Sequence, residues 1–168
     1  MKIALSVVAG DIAAAKVHYH WDADTDILGA EVRGAETGGP GLTGVVEIEG
    51  REGSWLNIDV RGGQIVGVEV AVWPDVKIVP TLLVPEPVAA AHLSVPARRS
   101  QPGIASVELD AHLSAQADRA ERTVHFRIGQ GRPAASYRVA TDLLIDVDES
   151  QHLAGIWLLN VPPFPSAS

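Results

Sequence analysis

The chain has no cysteine, which excludes disulfides, thiol catalysis and zinc-thiolate centres together. Lysine is scarce, three against ten arginines, and the formal net charge is −8. Such a chain repels nucleic acid and anionic membrane surfaces unless a local basic patch overrides the total. Arg98-Arg99 falls in a Pro/Ser loop, and the scatter from Arg119 to Arg138 is interrupted by Glu121. Neither reads as a phosphate track, so nucleic acid and membrane are not expected as partners. No apolar run approaches the roughly 20 residues a spanning helix needs. There is no nucleophile elbow, phosphate loop or dinucleotide turn; "GAETGGPGLTG" lacks a following helix and a lysine and reads as a hairpin loop. No cofactor is expected.

What remains is ample core material: 46% hydrophobic residues and only 20% charged in 168 residues, enough for one compact unit. Arginine over lysine, with abundant Ala, Val and Gly, is a composition of high-GC bacteria. The opening "MKIALSVVAGDIAAAK" loosely imitates a secretory signal, but Asp11 ends its apolar run early. Residues 4–7 read better as a first strand, which favours a cytoplasmic chain.

Period two dominates. "SVELDAHLSAQAD" sets Val107, Leu109, Ala111, Leu113, Ala115 and Ala117 on one side and polar residues on the other, the pattern of a long half-buried strand. Leu56, Ile58 and Val60 alternate in the same way with Trp55, Asn57, Asp59 and Arg61. Gly62-Gly63 is a tight-turn signal before "QIVGVEVAV". No window carries a capped 3.6 period, so the expectation is an all-β protein of roughly ten to twelve strands.

The chain also reads as written twice. Ile58-Asp59-Val60 aligns with Ile145-Asp146-Val147, Gly67 with Gly155 and Pro74 with Pro162. Upstream, "AKVHYHW" (15–21) resembles "RTVHFRI" (122–128), and "ALSV" (4–7) resembles "HLSA" (112–115). This predicts two tandem β-meander repeats, residues 1–73 and 104–168, closing into one barrel or sandwich. Between them, 74–103 holds six of the eleven prolines and reads as an extended connector with an edge strand at 88–95. On this reading both Gly67→Val and Gly155→Val unfold the chain.

"WDADTDILGAEV" followed by "LNIDVRGGQIVGVEV" resembles a family of short bacterial domains, the domain of unknown function 2283 family. Trp21, Asp22, Asp26 and Leu28 fit its first element; Asp59, Gly63, Ile65, Val66, Gly67, Val68 and Glu69 fit its hairpin. The second copy keeps "LLIDVDESQHLAGIWL" but has "GQGRP" where the acidic turn belongs. The resemblance covers about two thirds of the chain and implies a compact β unit used in tandem, with no activity to carry over.

Several residues are candidates for chemistry. On a strand His18 and His20 share one face, roughly 7 Å apart, but no third or fourth ligand completes a metal site, so none is expected. Asp22, Asp24 and Asp26 have calcium-loop spacing, yet Ile27 stands where the turn glycine belongs and Arg33 where the bidentate Glu belongs. They read as an Asx-type turn. Asp59 and Asp146, as copies, are candidate paired carboxylates, with His18 a third candidate for proton transfer. Trp55, Trp73, Tyr19 and Trp157 are candidate walls of an apolar site, Trp55 and Trp73 lying on the face opposite the aliphatic rows.

The expected function is that of a bacterial binding or interaction module, taking a small apolar molecule or a protein partner. The alternative is a cofactor-independent cyclase or isomerase of secondary metabolism, acting on a polyketide-like substrate inside a β-barrel. A homo-oligomer pairing through edge strands is the third reading.

Overall fold

The computed structural model describes residues 3–9, 14–35, 39–87, 89–96 and 104–165, with the backbone alone for 9 and 104–110. Among them are fourteen strands and no helix. The first six are β1 (Ser6–Ala9), β2 (Lys16–Asp22), β3 (Ile27–Arg33), β4 (Thr43–Gly50), β5 (Trp55–Arg61) and β6 (Gln64–Val72). Then come β7 (Val76–Ile78), β8 (Ala89–Ser94) and β9 (Ile104–Ala111). The last five are β10 (Leu113–Ala117), β11 (Val124–Ile128), β12 (Ala135–Ala140), β13 (Leu143–Val147) and β14 (Leu153–Leu158).

Two runs of five strands share one spatial order. The first is β2-β3-β6-β5-β4 and the second β10-β11-β14-β13-β12. In each, three hairpin-linked strands are joined by an earlier strand that returns beside the last of them, which is a Greek key and not the expected meander. Turn residues announce hairpins, but nothing in a sequence announces which strand a long connection reaches. By this order β10 stands where β2 stands and β11 where β3 stands, whereas similarity had set residues 15–21 against 122–128. Alternating Val-His-aromatic is what any half-buried strand offers, so that match carries little register information.

The hairpins themselves correspond closely. Asp59 pairs Gly67 and then Val60 pairs Ile65, skipping one residue; Asp146 pairs Gly155 and then Val147 pairs Leu153, skipping one as well. Gly62 and Gly63 have φ of 56° and 81°, the left-handed pair that a two-residue hairpin turn needs. A second bulge, where Leu56 pairs Val70 but Trp55 pairs Val72, reverses the parity at the end of β6. Val72 is therefore exposed, and Trp73, expected on the outer face, packs against the core.

β8 was expected at an edge but is internal. Its first residues run parallel to β12, its last pairs with β6, and β1 lies along it. On the opposite side, β9 pairs parallel with β4 and leads through His112 alone into β10, which pairs with β11. The two five-strand units are thus one mixed sheet stitched at two seams. Its hydrogen-bonded path ends at β7 and β9, so it is not a closed barrel. No helix long and apolar enough to cross a membrane is present among the described residues.

Both units bury their aliphatic faces in one core that includes Leu28, Ile48, Leu56 and Ile58 from the first and Phe126, Ile145, Ile156 and Leu158 from the second. Each such side chain, fully buried, contributes about 1.5–3 kcal/mol. Polar groups at the core's edge tie the units together. The Tyr19 hydroxyl donates to the Leu159 carbonyl at 2.6 Å, and Thr141 N donates to Ala15 O at 3.0 Å. Residues 3–5 pack here too: Leu5 N donates to Gln151 O and Leu153 N to Ile3 O.

Candidate functional site

Three places bring chemistry-bearing side chains together. The first is a groove of about 820 Å3 over the outer face of β2, β3, β5 and β6. Pleat parity turns Val17, Tyr19 and Trp21 inward and leaves His18 and His20 exposed. His18 pairs with Glu31, and His20 lies opposite Gly29. Asp59 faces Gly67 across the hairpin, so two glycines leave the groove floor without side chains. Partial desolvation on the groove wall, with the Glu69 charge beside it and Arg61 opposing, holds the Asp59 carboxyl above the ordinary range although the residue stays solvent-exposed. Asp59 and His18 share the groove, yet no hydrogen bond joins them among the described residues. No three His, Asp or Glu side chains there are grouped to hold a metal ion.

The second place centres on Asp146, 1% exposed. Its carboxylate accepts from the Ser136 hydroxyl at 2.6 Å, His125 Nε2 at 2.8 Å and the Trp157 indole N–H at 3.2 Å. His125 and Trp157 are cross-strand partners with rings stacked 4.0 Å apart at 13°. Glycine at 155 makes the arrangement feasible: a Cβ there would sit 2.6 Å from Asp146 Oδ2 and 3.0 Å from His125 Nε2. Ser136 binds the carboxylate and not the imidazole, so this is not a nucleophilic triad.

The third is a cleft of about 370 Å3 beside the ends of β2 and β6. Trp21 and Trp73 stack at 5.7 Å and 18°, and Phe164 meets Trp21 edge-on at 5.1 Å. Trp21 ends the inward row of β2, and the bulge in β6 delivers Trp73 to the same side. Phe164 arrives on "VPPFP", whose prolines cannot join a ladder. The two indole N–H groups are already spent on carbonyls, Trp21 on Pro162 O at 2.9 Å and Trp73 on Asp26 O at 2.7 Å. Ring surface, with Val76 and Val124, is what the cleft offers, and the carboxylates Asp26 and Glu121 also line it.

Of the candidate residues, Asp59 and His18 fall in the groove, Asp146 and Trp157 in the second place, and Trp73 in the cleft. Asp59 and Asp146 lie on the outer faces of different units and share no pocket. Tyr19 serves the joint between units, and Trp55, 38% exposed, gives its N–H to Asn57 Oδ1 at 2.8 Å on the surface. Asp22 Oδ1 accepts from Asp24 N at 3.0 Å, the expected Asx turn. Trp21 and Phe164 stand out in the sequence only as two of eight aromatics that could line an apolar pocket, His125 only as the counterpart of His18, and Ser136 and Arg132 carry no local signal. A signal for His125 was present, in a strand glycine between a polar-faced His and an Asp. No family model and no curated protein matches the chain.

Proposed function

We propose that the protein is a binding module that takes a small, flat apolar molecule against Trp21, Trp73 and Phe164. The observation that carries this is the pre-set pair of indoles, whose polar atoms are satisfied internally and whose rings are fixed before any ligand arrives. Phe164 and Val76 are 46% and 36% exposed, apolar surface that a ligand would cover. Asp26 and Glu121 favour a ligand bearing a hydrogen-bond donor or a positive charge. A cyclase or isomerase would need a positioned proton-transfer group inside the cleft; the candidates Asp59 and His18 line the separate groove, and the cleft's own carboxylates, Asp26 and Glu121, belong to exposed residues. The binding reading is therefore preferred.

The same reading takes the two Greek keys as copies of one ancestral unit. Their identical strand order and the residue skipped at the same place in each hairpin support it. Kinship with the domain of unknown function 2283 family is proposed on the same hairpin.

The test is titration with the neutral fluorophore N-phenyl-1-naphthylamine. Saturable binding is expected, weakened about tenfold by Trp73→Ala and by Phe164→Ala, and unchanged by Trp55→Ala. Equal binding by all three variants overturns the assignment.

A further inference from the structure

A separate pocket of about 390 Å3 opens where His125 meets β10, lined by Ser114, Gln116, His125, Arg127, Arg132 and Pro133. In a chain of net charge −8, its lining holds two arginines and no carboxylate. Because a carboxylate only accepts, the bond to Asp146 places the imidazole hydrogen on Nε2. Nδ1 is left without a partner among the described residues. The ring cannot swing away: Trp157 covers one face, and Asp146 is itself pinned by Ser136 and Trp157. Arg127 is held over the adjoining loop by Nη2 bonds to the Gln130 and Gly131 carbonyls, both 3.3 Å. Arg132, exposed on that loop, has no partner for its guanidinium among the described residues and can close over a ligand.

We propose that this pocket is a binding site for a small oxyanion, a carboxylate or phosphate group, held by the guanidinium groups of Arg127 and Arg132 and by a proton on His125 Nδ1. Guanidinium forks match oxyanion geometry through paired N–H donors. When the anion binds, His125 takes a proton from solvent onto Nδ1 and donates it to the anion in a hydrogen bond, and the buried Asp146 compensates the imidazolium. Asp146 is thus a positioning residue that touches no ligand, and the site is independent of the aromatic cleft.

The experiment follows the His125 imidazole resonances by NMR while the full chain is titrated with inorganic phosphate, acetate or chloride at matched ionic strength. A saturable shift with phosphate, acetate or both is expected, absent with chloride, and the responding anion names the class. Arg132→Ala, a change on an exposed loop, is expected to weaken binding about tenfold, while Arg61→Ala on the other unit leaves it intact. No saturable shift, the same shift with chloride, or full binding by Arg132→Ala overturns the proposal. So does an equal loss in Arg61→Ala, which would reduce the effect to overall charge.

Discussion

His125 Nε2 and Asp146 Oδ2 meet at 2.8 Å by reaching across the strand that carries Gly155. A methyl group at 155 would also lie 2.8 Å from the Phe126 carbonyl, which is backbone and cannot yield cheaply. Gly67 occupies the same hairpin position, but its nearest neighbour is the Asp59 carboxylate at 3.1 Å, the end of a movable side chain. Gly155→Ala is expected to lose about 3 kcal/mol and Gly67→Ala less than about 1 kcal/mol. Urea denaturation of the two variants separates them, although sequence symmetry predicts equal harm.

Removing the acceptor at 146 strands three donors. Asp146→Ala leaves the Ser136 hydroxyl, the His125 ring and the Trp157 N–H unpaired in or beside the core, at a cost of about 3 kcal/mol. Serine at 136 is the cheaper deletion, because Ser136→Ala removes one bond of the three and is expected to lose about 1 kcal/mol. Chemical denaturation curves for the pair measure both.

Burial, and then the negative charge of Asp142, push the Tyr19 hydroxyl well above the ordinary tyrosine range. A pKa raised by folding means the native state holds the proton more tightly than the unfolded chain. This contribution is fully present below about pH 10, the unfolded tyrosine value, and is lost as pH rises beyond it. Thermal melts of the parent chain should therefore fall steeply above that pH. Tyr19→Phe, lacking the bond to Leu159 O, should start lower at neutral pH and lose that alkaline phase.

Asp59 follows the same sign at the acid end, since its carboxyl is raised by partial desolvation and by Glu69. Its favourable contribution is complete below about pH 4, the unfolded value, and disappears as pH climbs through the higher folded one. Asp59→Asn is expected to raise the melting temperature at pH 7 and to give no gain at pH 3. A melting-temperature profile of both chains against pH reads this directly.

All-β class, strand parity in β2 and β5, and the paired hairpins were legible in the sequence because period two and turn glycines are local properties. The Greek-key path, the internal place of β8 and the inward turn of Trp73 were not. Each depends on a pairing between segments far apart in the chain, or on a single skipped residue that resets every later side chain. Site legibility divides in the same way. His18 with His20 could be placed on one face by counting, whereas His125 reaches Asp146 only through a gap in a third strand. The aromatic cleft likewise joins Trp21, Trp73 and Phe164 from three separate segments.

The passage from β9 to β10 through His112 alone couples the two units directly. A single stretch of backbone lines the rim of one Greek key and then opens the next, so neither half carries a complete boundary of its own. Split at that point, each fragment would present one wall of a shared interior, with Leu28 or Phe126 facing water. Whatever the ancestry of the two keys, the shared core predicts that the present protein folds only as a fused pair.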